Sequence, residues 1–172
     1  METAYKTCLD ILKQRECDII DEDDFSITAV KSDGNEICVF LINAPKLDVS
    51  RVKEYVTLLN YKNINHGIFV YGESITPYAK KVVEASEDMK IELFCEKELQ
   101  YNVTKHRLVP THERLCEKDA IAFKKEFGGK FGGILKTDPV ARFYGYQRGD
   151  VIRITRTNGD NGVYITYRIV KG

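Results

Sequence analysis

"HGIFVYGESITPYAKKVVEAS", residues 66–86, contains two structural elements in succession. Its first seven residues form a short apolar run bounded by glycines, as expected of a strand covered on both faces. Thr76 then sets a hydroxyl ahead of Pro77. That pair opens a helix through "YAKKVVEAS", because proline in the first helical position gives up only a donor that would lack a partner there. A fully covered strand followed at once by a helix is the unit of a layered α/β fold.

Working outward, "APKLDVSRVKEYVTLLNYKN" upstream reads as another helix, with Asp48 as N-cap and Val49, Val52, Val56 and Leu59 as its apolar stripe. Before it, "SITAV" and "EICVFLI" are β-rich runs separated by "KSDGN", where Asp33-Gly34 supplies the positive φ of a tight turn; together they predict a hairpin. "KIELFC" downstream is a further strand. At the N-terminus, residues 2–20 carry Ala4, Tyr5, Cys8, Leu9 and Leu12 at three- and four-residue spacing, so a helix is expected until "DIIDEDDF" ends it. Helix, hairpin, helix, strand, helix and strand predict an α/β domain over residues 1–103 with a mixed sheet and helices packed on it.

The texture changes after residue 103. "HRLVPTHERL", residues 106–115, fits neither period and is expected to join two modules, with Leu108, Val109 and Leu115 packing while His106 and His112 hydrogen-bond. "CEKDAIAFKKEF" has a helical period, "GGKFGG" interrupts it, and "TDPVARFYG" is a short helix with Asp138 as cap, Pro139 first and Gly145 past its end. "VIRITR" and "VYITYRIV", joined by "TNGDNG", are the closing strands. Residues 104–172 therefore form a small α+β module, marginal alone and expected to dock onto something larger.

Charge divides the chain at the same place. Residues 1–103 hold 12 Lys/Arg against 19 Asp/Glu and residues 104–172 hold 14 against 7, so a formal net charge of zero conceals halves of −7 and +7. A basic second half suits acidic protein or nucleic acid. At 172 residues the chain buries enough surface to need no metal or disulfide. The 43% apolar and 30% charged content is that of an ordinary globular protein. No run approaches the length of a membrane span, and acids in the N-terminal stretch argue against a targeting peptide. The five cysteines, Cys8, Cys17, Cys38, Cys95 and Cys116, show no C-x-x-C pair and read as buried thiols. His106, His112 and Cys116 make a poor zinc set, without the usual close pair.

Catalytic patterns are missing. The glycines around Lys130 lack phosphate-loop order, and the acids at 21–24 lack the spacing of a calcium loop, so both read as loops. A hairpin with flanking helices also suits a metal-dependent nuclease, which needs an acid-x-lysine on its second strand to hold Mg²⁺ and orient water. Glu36-Ile37-Cys38 stands there instead. "RGD" at 148–150 reads as a turn into a strand.

Three ordered motifs go further: Leu108-Val109-Pro110 with His112; Thr137-Asp138-Pro139-Val140-Ala141-Arg142 with Tyr144-Gly145; and Arg148-Gly149 with the final Tyr167-Arg168. Over residues 104–170 the chain resembles the fifth subunit shared by the eukaryotic nuclear RNA polymerases I, II and III, whose C-terminal part is similar to a subunit of the archaeal RNA polymerase. Residues 37–84 resemble that family's jaw domain more loosely, with a shorter, trimmed stretch before and inside the first hairpin. The resemblance implies a jaw domain with a nuclease-like fold lacking an active site, then an α+β assembly domain. It implies a non-catalytic transcription subunit anchored on the largest polymerase subunit, with the jaw beside downstream DNA and in weak contact with it. Partner-binding residues are then expected at Pro110, His112, Asp138, Pro139, Arg142, Tyr144, Arg148, Tyr167 and Arg168. Asp138 and Pro139 would fix a helix start that turns Arg142 and Tyr144 outward, while Arg148 and Arg168 suit bidentate pairing. No cofactor, bound metal, membrane contact or homo-oligomer is implied. The expected location is the nucleus, or the virion or host cytoplasm for a viral chain. A divalent-metal nuclease built on the first half and a free-standing transcription regulator stay as alternatives.

Overall fold

The computed structural model describes residues 1–86, 88–128, 131–157 and 162–172. Gly129-Lys130 of the glycine-rich segment and residues 158–161 of the last turn lie outside the described residues. The chain divides into two compact units, Met1–Tyr101 and Asn102–Gly172.

In the first unit, α1 (Glu2–Gln14) leads into β1 (Cys17–Glu22), β2 (Ser26–Lys31) and β3 (Glu36–Ile42). These three strands pair antiparallel. Gly34, at φ 82°, closes the β2–β3 turn, its N–H donating to Lys31 O while Lys31 N–H donates to Asn35 O. After the two-residue β4 (Lys46–Leu47), α2 (Val49–Tyr61) crosses to β5 (His66–Tyr71). Beyond the equally short β6 (Ser74–Ile75), α3 (Pro77–Glu84) crosses to β7 (Lys90–Cys95). The sheet order is β1-β2-β3-β5-β7, with β3, β5 and β7 parallel, as helical crossovers require. β4 and β6 form a small parallel ladder of their own.

Both crossover helices start where their caps predict. Asp48 accepts from Arg51 N–H at 2.9 Å and Thr76 accepts from Ala79 N–H at 3.1 Å, each satisfying a donor with no intrahelical partner. On the side facing α2 and α3, Cys38, Phe40 and Ile42 of β3 and Phe69 of β5 pack with Leu47, Val52, Leu59 and Ala79. Phe40, Tyr55 and Phe69 meet with ring centroids 4.9–5.8 Å apart. The alternate residues Ile37, Val39 and Leu41 are buried too, so the opposite face is covered as well. There α1 lays down Ala4, Cys8, Ile11 and Leu12. Arg15, just past its end, reaches Glu92 on β7 with two hydrogen bonds of 2.8 and 2.9 Å.

Two expectations are corrected here. The first helix ends at Gln14 and not near residue 20: Glu16 takes φ 56° and the chain turns into β1. Of the acids at 21–24, Asp21 and Glu22 belong to the edge strand β1, whereas Asp23 and Asp24 lie in the connection to β2 as expected, where the Asp23 carboxylate accepts from the N–H groups of Phe25 and Ser26. The buried-thiol reading holds for Cys8, Cys17 and Cys38, whereas Cys95 is half-buried and Cys116 is exposed. Burial pushes the Cys8 thiol up to about 12, which leaves it inert.

The second unit is built on a four-stranded sheet of order β8-β10-β11-β9. Its elements are β8 (Thr111–Arg114), α4 (Glu117–Phe127), β9 (Gly133–Leu135), α5 (Pro139–Tyr144), β10 (Val151–Thr157) and β11 (Val163–Lys171). β10 pairs antiparallel with β11 and β8, and β9 runs parallel to β11. Its core cluster is small: Ile134, Ala141, Tyr146, Ile152, Ile154 and Val170.

Candidate partner interface

The local chemistry of "TDPVARFYG" fixes the most ordered part of the second unit. Asp138 Oδ1 accepts from Val140 N–H at 2.9 Å, Pro139 takes the first helical turn, and Gly145 at φ 67°, ψ 31° supplies the left-handed stop. α5 buries Val140, Ala141 and Phe143. Arg142 and Tyr144, expected to turn outward, are half-buried: Tyr144 stacks on Tyr146, centroids 5.2 Å apart and planes 11° apart, against the core. Pro139 is exposed and Asp138 half-buried.

Strand register sorts the remaining predicted residues. His112 lies opposite Ile154, and Arg168 opposite Ile152, so both share the sheet face on which α5 packs. His112 Nδ1 is 2.7 Å from Pro110 O, which can only accept; the ring is therefore the Nδ1–H tautomer, leaving Nε2 as an acceptor. Burial lowers the His112 pKa below the ordinary 6.5, Arg156 and Arg168 push the same way, and the Pro110 carbonyl and Asp138 oppose them. The imidazole is neutral at neutral pH. Its backbone carbonyl accepts from the Tyr146 hydroxyl at 3.2 Å. Arg168 is exposed and donates to Gly133 O at 2.9 Å, tying β11 to β9. Pro110, His112, Asp138 and Arg168 thus gather around one face.

Arg148 stands exposed at the corner of a tight turn in which Asp150 N–H donates to Gln147 O, with Gly149 at φ 92°. The tripeptide at 148–150 is that turn. Tyr167 is on the opposite face of the sheet, its ring 4.5 Å from Phe123 of α4. It belongs to packing between helix and strand and not to the cluster around His112. Leu108, expected to pack, is 75% exposed, because residues 106–110 form a turn in which Val109 N–H reaches back to His106 O and the side chain projects outward. His106 does hydrogen-bond, accepting from Leu108 N–H.

Sequence reasoning missed a second surface. α4 has an apolar period yet no fully buried residue. Phe123 joins Phe127, Phe131 and Tyr167 in a ring cluster, and Ile165 and Val163 continue that face along β11. Phe127 is 56% exposed, Val163 62% and Ile165 40%. Large apolar side chains exposed together on one face are a feature of interaction surfaces. A lone helical period cannot reveal this, because it reports which residues share a face and not whether anything closes over them.

Among the described residues, no group of three or more His, Cys, Asp or Glu is placed to hold a metal ion, and no helix is long and apolar enough to cross a membrane. His106, His112 and Cys116 do not converge into a ligand set.

The family model for the RNA polymerase Rpb5 C-terminal domain matches residues 101–170, which is nearly the whole second unit. The DNA-directed RNA polymerases I, II, and III subunit rpabc1 of Dictyostelium discoideum is 35% identical, over 95% of this chain and 93% of that protein. This chain belongs to that shared-subunit family. A putative DNA-directed RNA polymerase subunit of Invertebrate iridescent virus 6 is 32% identical over 98% of each chain, and the Caenorhabditis elegans RPABC1 is 31% identical over 86% of this chain and 72% of that one. Likeness to a family of accessory subunits agrees with the absence of catalytic patterns in the sequence. A repair endonuclease from Pyrococcus abyssi overlaps 56% of the chain at 20% identity and a TM-score of 0.38, too slight a likeness to assign a fold or an activity.

Proposed function

We propose that this chain is a non-catalytic accessory subunit of a multisubunit DNA-directed RNA polymerase, with the second unit as the assembly domain and the first as the jaw. The observation that carries it is the apolar face of Phe127, Val163 and Ile165, exposed within the segment that the family model matches. A 71-residue unit with a small core gains stability by placing that face against a larger partner.

The partner is the largest polymerase subunit. The apolar face, with Tyr167 as its supporting ring, supplies the buried centre of one contact; Arg142, Arg168 and the neutral His112, on the α5 face of the sheet, and Arg148 at its turn supply separate charged and polar contacts, with Pro110 and Pro139 as stiff turns, Asp138 as cap and Tyr144 as a supporting ring. We read the jaw as a nuclease-like layer order without the catalytic residues: the buried Cys38 stands where an acid-x-lysine would put its lysine. With 12 Lys/Arg against 19 Asp/Glu in residues 1–103, its contact with downstream DNA is weak and local. One copy acts per polymerase, in the nucleus, or in the virion or host cytoplasm if the chain is viral.

Affinity purification of the tagged full chain from its source cell tests this. Stoichiometric recovery of the two largest polymerase subunits is expected. Recovery alone or with a regulator, or Mg²⁺-dependent cleavage of DNA by the purified chain, would overturn it.

A further inference from the structure

In the first unit a cleft of about 430 Å³ opens at the end of the five-stranded sheet, where β2 finishes and β3, β5 and β7 begin. That volume is within the ~300–1,000 Å³ of ordinary ligand sites. Three lysines reach it from three elements: Lys31 is the last residue of β2, Lys62 caps the C-terminus of α2, and Lys90 is the first residue of β7. Strand pairing enforces the convergence, since β2 neighbours β3 and His66 of β5 lies directly opposite Lys90.

Lys31 and Lys90 are close enough to feel one another. Burial lowers the Lys90 ammonium; Glu92 opposes, and Arg15 and Lys31 add to the lowering. Glu36 in the lining and Asp33 on the neighbouring turn offset part of the positive charge. Glu92 pairs with Lys90 at 3.5 Å, but its charge is shared, since both its oxygens are held by Arg15 and one also meets His66 Nε2 at 2.7 Å. His66 lines the wall, and its Nδ1 has no hydrogen-bond partner among the described residues. The Asn35 amide is engaged with Asp33, whereas Asn63 and Asn65 stand exposed at the rim.

The lining contains lysines, asparagines, one histidine, one glutamate and one glycine, with no aliphatic side chain and no ring other than the buried His66 imidazole. Such a wall offers mainly charge and N–H donors. It recognises a compact oxyanion, whatever group carries it. We propose that this cleft binds phosphate, as the free ion or as a backbone phosphate of nucleic acid, held by Lys31, Lys62 and Lys90 with Asn63 and Asn65 as neutral donors. Phosphate binding here is independent of the polymerase reading.

The test is an NMR titration of the full chain at fixed ionic strength, with inorganic phosphate in one arm, a short DNA duplex in a second and chloride as the reference. Shifts at Lys31, Asn63, His66 and Lys90 beyond those of chloride are expected. Lys31→Gln and Lys62→Gln should each weaken binding roughly fivefold or more, and Lys62 is exposed, so its replacement leaves the fold intact. A response to inorganic phosphate identifies the small anion as a ligand, and a response to duplex alone identifies backbone phosphate. No cleft shift beyond chloride in either arm, or undiminished affinity in both variants, overturns the proposal.

Discussion

β5 and β11 look alike in sequence, each a run of β-branched and aromatic residues, but they end in different environments. Five of the six residues of β5 are buried, whereas of the nine in β11 only Val170 is. β5 lies between crossover helices on one face and α1 on the other. β11 has α5 over one face, but on the other α4 buries none of its own residues fully. The central strands of the first unit are therefore buried on both faces, whereas the second unit leaves apolar side chains exposed on one face of its sheet. Shared composition conceals this because hydrophobicity states how much surface is to be removed from water and not which molecule removes it.

The contrast breaks most sharply at Arg15. Arg15→Met strips the buried Glu92 of its main counter-charge, leaving His66 and Lys90, and should cost up to about 3–5 kcal/mol, confined to the first unit, as read by denaturant unfolding with hydrogen exchange. A loss shared equally by both units would mean that they do not unfold separately. Ile152→Ala, in the core cluster of the second unit, should cost about 2–5 kcal/mol, a large share of what so small a core supplies. Exchange protection in β10 and β11 should collapse while that of β5 persists.

Much of this was legible in sequence where a local pattern carries it. Asp48, Thr76-Pro77 and Asp138-Pro139 fixed three helix starts, and Asp33-Gly34 fixed the hairpin, because caps and turns are decided by neighbouring residues. β1 was not legible: five of its six residues are exposed, so an acidic edge strand shows no burial alternation. β8 and β9 are too short, at four and three residues, to show a period. The Arg15–Glu92–His66 network joins residues 77 and 26 positions apart and has no local sign at all. At the candidate interface, α5 and its cap were readable, whereas the placement of Tyr167 on the face away from His112 needed the strand register.

A smaller effect sharpens the comparison at the helix caps. Asp138→Ala removes the acceptor for Val140 N–H and should cost about 0.5–2 kcal/mol in the second unit alone, seen as a lower Tm for that unit. Acid acts on both. Burial pushes His66 and His112 below their ordinary 6.5, so the unfolded chain takes up protons that the folded one refuses, and stability should fall as the pH drops through 6.5. Burial would raise the Glu92 carboxyl, but Arg15, His66 and Lys90 hold it well below 4.5, so the first unit loses a further contribution only at lower pH. Thermal melts from pH 8 to pH 3 should show both units weakening first and the first unit alone losing stability further, whereas flat melts between pH 7 and 5 would contradict this.

The most direct measurement compares polymerase recovery by the full chain carrying Phe127→Glu and Val163→Glu with recovery by a chain altered at the exposed Tyr61 and Tyr78 of the first unit. A charge on each apolar side chain should cost at least about 2 kcal/mol of binding and remove the largest subunit from the purified complex, with both units still folded. The Tyr61 and Tyr78 changes should leave recovery unchanged. Full recovery by the charged second-unit variant, with loss on changing the first unit, would contradict the account.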